Sequence, residues 1–224
     1  LIILATALLG CSTRAPYVPD PSAVDSENFR FTWEKSSEPT AKEVAYYPNV
    51  ANILDGTNPI LSLYREDVTH KKVEEFFVQL TGSPEIALPI LYHADRNNLS
   101  LSLVFSLAWV ESKFTPSAEN WNHKSVDRGL FQLNSNSFYH LTREDFFDPE
   151  INASHGTEYL KFCLKYAPNE RLALAAYNAG LSRVQSGDIP RSTQDYVRKV
   201  IAYKRTLESR FRRYILKSFP PSPS

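Results

Sequence analysis

The 224-residue chain contains no methionine and only two cysteines. A translated chain starts with Met, so this absence leads us to expect a front end that has been clipped or processed. Two cysteines cannot hold a disulfide-rich scaffold, and without a CxxC pair or a Cys/His cluster no structural zinc is expected. Charge of one sign is also missing: 25 Lys and Arg balance 25 Asp and Glu. No overall pull toward nucleic acid or an acidic surface follows from such a balance. What is there is 42% apolar, 22% charged and 12% aromatic residues. That composition excludes a polytopic membrane protein, a collagen-like chain and a wholly disordered one. The length suits one ordinary domain with an extension, or two small domains.

The apolar run from Leu1 to Leu9 falls short of the roughly 20 residues that a spanning helix needs. It reads as the apolar region of a secretory signal (residues 1–11) whose charged leader is missing. Leu8-Leu9-Gly10-Cys11 looks like a bacterial lipobox, which makes Cys11 the lipidated first residue of the mature chain. The other reading is a plain signal with a chance cysteine. Residues 12–40 carry Pro16, Pro19, Pro21 and Pro39 among Ser, Asp and Glu, the composition of a flexible tether. Residues 41–82 read as a short helical extension, 83–217 as the main domain and 218–224 as a frayed tail.

Helical periodicity and stop signals predict helices within 73–80 and near 84–97, 101–113, 152–166, 169–179 and 194–217. Ser83 and Ser100 are expected N-caps, with Pro84 at the first helical position and Gly180 as a C-cap. The polar stretch 115–128 has room for a loop or a short hairpin. Cys163, set among Tyr159, Leu160, Phe162 and Leu164, reads as a buried helix cysteine. The basic last helix reads first as a solvated face and otherwise as one that meets an anionic polymer or lipid headgroups.

Glu111 ends the apolar helix segment Ser106-Leu107-Ala108-Trp109-Val110. An acid desolvated there keeps its proton near neutral pH, the state from which it can protonate a glycosidic oxygen. Three segments follow in order: Glu111-Ser112-Lys113-Phe114, Gly129-Leu130-Phe131-Gln132 and Ala175-Ala176-Tyr177-Asn178-Ala179-Gly180. Together they resemble the soluble lytic transglycosylase (SLT) domain, a lysozyme-like family that cuts the glycan strands of bacterial peptidoglycan. Phe131 stands where that family has Met. Asp195-Tyr196-Val197-Arg198-Lys199-Val200 is similar to its closing helix, so the resemblance spans about 83–217.

The resemblance implies a mainly α, lysozyme-like (goose-type) helical domain with a small irregular or β-hairpin segment, preceded by the short helical extension. It makes Glu111 the catalytic acid and base, supported by Tyr177, Gln132 and Ser112. Tyr177 is expected to hydrogen-bond Glu111. Gln132, Phe131, Asn178, Tyr196 and Trp121 are expected at the substrate. Tyr196 reads either as a cleft aromatic or as packing, and Trp121 as a sugar-stacking or a core residue. The family chemistry needs one carboxyl: Glu111 protonates the bond between N-acetylmuramic acid and N-acetylglucosamine, then takes the C6 hydroxyl proton as a 1,6-anhydro ring closes.

Asp127 opens an alternative, because Ser125 to Ser135 also resembles animal-type lysozymes with a second catalytic carboxylate there. A retaining hydrolase then becomes possible if the two acids stand about 5–5.5 Å apart. Asp127 could equally cap a turn or pair with Arg128. A third reading is a silent peptidoglycan-binding lipoprotein. His123 has no second ligand spaced to help it, so no metal is expected, nor any cofactor. The expected partners are peptidoglycan glycan strands and a membrane reached through Cys11, with no nucleic acid.

Overall fold

A computed structural model describes residues 50–220. The lipidation residue Cys11, the tether at 12–40, residues 41–49 of the extension and residues 221–224 of the tail lie outside the described residues. Among the described residues, five helices precede the sheet segment: α1 Val50–Leu54, α2 Pro59–Arg65, α3 Asp67–Thr81, α4 Pro84–Arg96 and α5 Leu101–Ser112. Three short strands follow, β1 Glu119–Trp121, β2 Val126–Arg128 and β3 Leu133–Asn134. Five more helices complete the fold: α6 Arg143–Phe147, α7 Pro149–Tyr166, α8 Glu170–Ala179, α9 Leu181–Gln185 and α10 Arg191–Ser218. The chain is mainly α with one small antiparallel sheet, a lysozyme-like helical fold.

α5 is the axis of the molecule. Every residue from Leu101 to Ala108 is buried, which explains why its apolar side chains run all the way round. Its start is capped as expected, with Ser100 accepting the Leu103 N–H. Even its serines are satisfied internally: Ser102 donates to Glu208 at 2.7 Å and Ser106 to the Ser102 carbonyl at 2.5 Å. α10 packs along it through Val197, Val200, Leu207, Phe211 and Ile215, a spacing of three, four or seven. Arg198, Arg205, Arg210 and Arg213 stand on the exposed side of the same helix.

The helices before residue 83 share this core. Phe77 stacks on Phe105 of α5 at 4.0 Å, and Phe76 meets Phe211 of α10 edge-on at 5.1 Å. Buried aromatic pairs of this kind stabilise by about 1 kcal/mol beyond their area. Cys163 is fully buried, and desolvation pushes its thiol up to about 12, so it is an unreactive core cysteine.

Two local expectations differ from the structure. Ser83 occupies the N-cap position of α4 but makes no capping bond; its hydroxyl donates to the Glu85 carboxylate instead. The segment expected to hold a hairpin is a three-stranded sheet, because Leu133–Asn134 adds a third strand beside β2. Two residues give no alternation from which a strand could be read. The register sets Asp127 of the central strand between Asn120 of β1 and Asn134 of β3. Val126 turns inward to the core, so Asp127 faces the other way.

Candidate active site

A cleft of about 580 Å³ opens between the end of α5, the sheet and the α7–α8 pair. Its lining includes Glu111, Asp127, Gln132, Tyr177 and Asn178, which the sequence had singled out. Asn120, Asn122, Asn134, Ser137, Phe138 and Tyr159 are among the other residues of the wall. A cleft so rich in amides and hydroxyls, with aromatic patches, matches the chemistry of a sugar surface.

Glu111 sits in the last turn of α5 with little of its surface open to the cleft. Burial pushes its carboxyl up to about 8; a hydrogen bond from Tyr196 pulls in the opposite direction, and the charge of Asp127 adds to the rise. The Tyr196 hydroxyl donates to Glu111 Oε1 at 2.5 Å. This corrects the expected pairing: the Tyr177 hydroxyl donates to the Phe131 carbonyl at 2.9 Å. Tyr177 lines the cleft on α8, whereas Tyr196 on α10 holds the acid. Sequence reading left Tyr196 undecided because nothing in a helical pattern says that one face of α10 meets the end of α5.

Beyond Glu111 the chain turns sharply. Lys113 and Phe114 both adopt left-handed backbone, at φ 57° and 60°, and Gln132 across the cleft does so at φ 47°. Non-glycine residues in this region cost about 1 kcal/mol or more each, and such strain gathers at functional sites. Ser112 ties the two strained turns together, its hydroxyl donating to the Leu130 carbonyl at 2.9 Å.

The Gly129-Leu130-Phe131-Gln132 turn is held from below by Asn152, a fully buried residue of α7. Its amide donates to the carbonyls of Arg128 and Phe146 at 3.1 and 2.8 Å and accepts the Phe131 N–H at 2.8 Å. Gly129 has φ +79°, and a Cβ there would fall 2.1 Å from the Phe146 carbonyl oxygen. Sequence analysis missed Asn152. Its signal was faint: a poor helix former four residues before Gly156, on the same helical face.

Phe131, expected at the substrate, is wholly buried and packs over Gly156, where a side chain would collide with its ring. Gln132 does line the cleft, and its amide also donates to the carbonyls of Gly129 and Ala118 at 2.9 and 3.2 Å. Asn178 lines the cleft while its carbonyl oxygen accepts the Thr193 hydroxyl at 2.8 Å, fixing α8 to the start of α10. Trp121 is no core residue: it is 73% exposed on β1, outside the cleft lining.

Asp127 is held by two amides that the sequence did not single out. Asn134 donates to Oδ1 at 2.6 Å and Asn122 to Oδ2 at 2.8 Å. Arg128, considered as its partner, pairs with Glu119 at 2.9 Å.

A helical domain with one desolvated acid at the end of a buried helix, facing a small sheet across an amide-lined cleft, is of the lysozyme-like class. Residues 89–196 match the family described as the transglycosylase SLT domain. Two curated relatives are similar to it, both named membrane-bound lytic murein transglycosylase F, from Haemophilus influenzae strains PittGG and 86-028NP. Each is 31% identical over 101 residues, which is 42% of this chain and 20% of the relative. The chain therefore spans about 20% of the length of these relatives. A solved structure, an inactive mutant of lytic transglycosylase Slt from Pseudomonas aeruginosa, is similar with a TM-score of 0.48 and 18% identity. That likeness covers 72% of this chain and 32% of the other. Among the described residues, no helix is long and apolar enough to cross a membrane.

Proposed function

We propose that the chain is a peptidoglycan lytic transglycosylase in which Glu111 acts first as acid and then as base. The observation that carries this reading is the carboxyl of Glu111, pushed up to about 8 by burial at the floor of a polar cleft. It holds its proton at neutral pH and can give it to the oxygen linking N-acetylmuramic acid to N-acetylglucosamine. As that C1–O bond breaks, the substrate's own acetamido oxygen bonds to C1. The Glu111 carboxylate then takes the proton from the C6 hydroxyl, whose oxygen bonds to C1 and releases the acetamido group. Both the proton and the bonds are accounted for without water. Tyr196 is a positioning residue that fixes the acid, and the amides of Gln132 and Asn178 offer donors and acceptors to the acetamido and ring hydroxyls.

A hydrolysing lysozyme is the second reading, supported by Asp127 on the same cleft and by the effect of its charge on Glu111. Both Asp127 oxygens are already engaged by amides, which suits a fixed charge better than a nucleophile. Cys11 is proposed as the lipid anchor that holds the domain at a membrane facing the periplasm, with 12–40 as its tether.

Mass spectrometry of products released from purified peptidoglycan separates the readings. Anhydro-muropeptides that vanish in Glu111→Gln and survive in Asp127→Asn are the expected result. Products heavier by one water, lost in both variants, mean hydrolysis. No release by the unmutated chain means a silent glycan binder. Intact mass of the same preparations reports the anchor, since lipid on Cys11 adds mass that Cys11→Ser lacks.

A further inference from the structure

α10 is 28 residues long, so it runs for about 40 Å. It carries nine Lys and Arg against two acids, Asp195 and Glu208. The whole chain has no net charge, so this helix is a positive element on a chain whose remainder is net acidic. Six of the nine cations are arginines, whose charge is permanent and whose planar forks match phosphate. Arg191, Arg198, Arg205 and Arg212 recur every seven residues, about two helical turns, and so form one stripe. Arg210 and Arg213 flank it, and all six are exposed. The inner face of the same helix holds Val197, Val200, Leu207, Phe211 and Ile215 and brings Tyr196 to Glu111. Of the two acids, Glu208 turns inward to accept the Ser102 hydroxyl at 2.7 Å, and Asp195 pairs with Arg198. Asp55, just beyond α1, pairs with Arg212 at 3.0 Å.

We propose that the exposed arginine face of α10 seats the domain on an anionic phospholipid surface. The stripe from Arg191 to Arg212 extends for about 30 Å along the outside of the helix, so it meets a plane of phosphates at many points at once. A small anion would engage only one or two of these groups. Ala202, Thr206 and Ser209 lie exposed between the arginines, small or polar side chains that offer no wedge to enter the lipid. The contact is therefore electrostatic and peripheral. The described chain begins at Val50 of α1, which packs against α10, so the segment leading back to Cys11 joins the body beside this helix. The bilayer then lies on the opposite side of α10 from Glu111. This inference stands apart from the chemistry of Glu111 and from lipid on Cys11, and it would set how the domain is turned relative to the membrane.

The test is flotation of the full chain with vesicles of phosphatidylcholine alone and of phosphatidylcholine mixed with phosphatidylglycerol, at low and at high salt. The neutral vesicles report whatever the apolar run Leu1 to Leu9 contributes by itself. At low salt the parent is expected to bind the anionic vesicles about 100-fold more tightly than the neutral ones, and at high salt to lose that preference. Arg205→Gln/Arg210→Gln/Arg213→Gln changes three exposed residues outside the Asp195 and Asp55 pairs. It should weaken anionic binding about 100-fold, roughly fivefold for each charge near the surface. Arg205→Lys/Arg210→Lys/Arg213→Lys keeps the charges and should keep most of the binding. Thermal melts check the fold, and where the Gln variant is damaged the Lys variant and the salt dependence decide. Equal affinity of the parent for both kinds of vesicle overturns the proposal, as does undiminished anionic binding by the Gln variant. So does arginine-dependent binding to soluble polyphosphate without binding to anionic vesicles, which would assign the face to a polymer. A chain that cleaves no glycan yet binds vesicles through these arginines leaves this inference standing and defeats the transglycosylase reading instead.

Discussion

Glu111 stands between two walls of opposite character. The sheet wall is polar and clamped: Asp127 carries a fixed charge held by Asn122 and Asn134, and Asn152 pins the turn beneath it. The α10 wall is aromatic and open, with Tyr196 as its only group bonded to the acid. The two walls also push the proton affinity of Glu111 in opposite directions, Asp127 upward by charge and Tyr196 downward by hydrogen bonding. Burial exceeds both. The difference teaches that the fold makes the acid by desolvation, and the walls trim its strength.

The largest effect should come from removing the acid itself. Glu111→Gln is expected to reduce cleavage by at least about 10³-fold, the scale of losing general acid–base catalysis. The same change tests the desolvation. A carboxyl whose affinity is raised from 4.5 to about 8 on folding holds a proton that the unfolded chain releases between those pH values. Stability of the parent therefore falls as pH rises through that window. Gln never ionises, so the variant should be the more stable at pH 8, by on the order of 4 kcal/mol, and nearly level with the parent at pH 4.5. Urea melts at both pH values read this directly. A difference that does not change with pH would show that Glu111 is solvated and remove the basis of its role.

Next in size is the mechanical contrast between a clamped turn and a free one. Gly129 and Gly180 both have positive φ, at +79° and +89°. An added Cβ at Gly129 meets the Phe146 carbonyl and the Asn152 amide, whereas at Gly180 it meets nothing within 4 Å. Gly129→Ala should cost about 3 kcal/mol or more through collision and strain together, and Gly180→Ala about 1 kcal/mol through strain alone. Thermal melts of the two variants measure the contrast. Equal losses would mean that the sheet wall yields as easily as the loop after α8.

The same contrast explains what could be read in advance. The buried helix α5 was legible because its apolar residues are continuous, its N-cap Ser100 precedes it and Glu111 ends it. The Glu111 to Gln132 to Tyr177 order was legible as a motif set, and the structure gathers all three on one cleft. Contacts between distant segments were not. The Tyr196–Glu111 bond joins residues 85 apart, and no local pattern favours it over a Tyr177 bond. Asn152 is equally hidden, since its function is to satisfy backbone groups of a turn about 20 positions earlier. Phe131 was misplaced for a related reason: Gln132 beside it lines the cleft, but Phe131 itself is buried against Gly156 of a helix far along the chain. β3 is too short to carry a period.

The smallest expected effects decide whether the two walls oppose each other as described. Cleavage by a protonated Glu111 should fall as pH rises through the folded-state value of about 8, which gives the activity profile its alkaline limb. Asp127→Asn removes a negative charge that favours the protonated form, so the limb should move to lower pH. Tyr196→Phe removes a hydrogen bond that favours the ionised form, so the limb should move to higher pH. Each shift should be about one unit or less, since burial, the larger cause, is untouched by either change. The paired design matters because a variant that merely loosens the site lowers the rate at every pH without moving the limb in a set direction. Shifts of the same sign in both variants would show that the walls act by solvent entry, which lowers the value whichever wall is opened. Opposite shifts, recovered as near cancellation in the double variant Asp127→Asn/Tyr196→Phe, would show that charge and hydrogen bond act on one carboxyl independently.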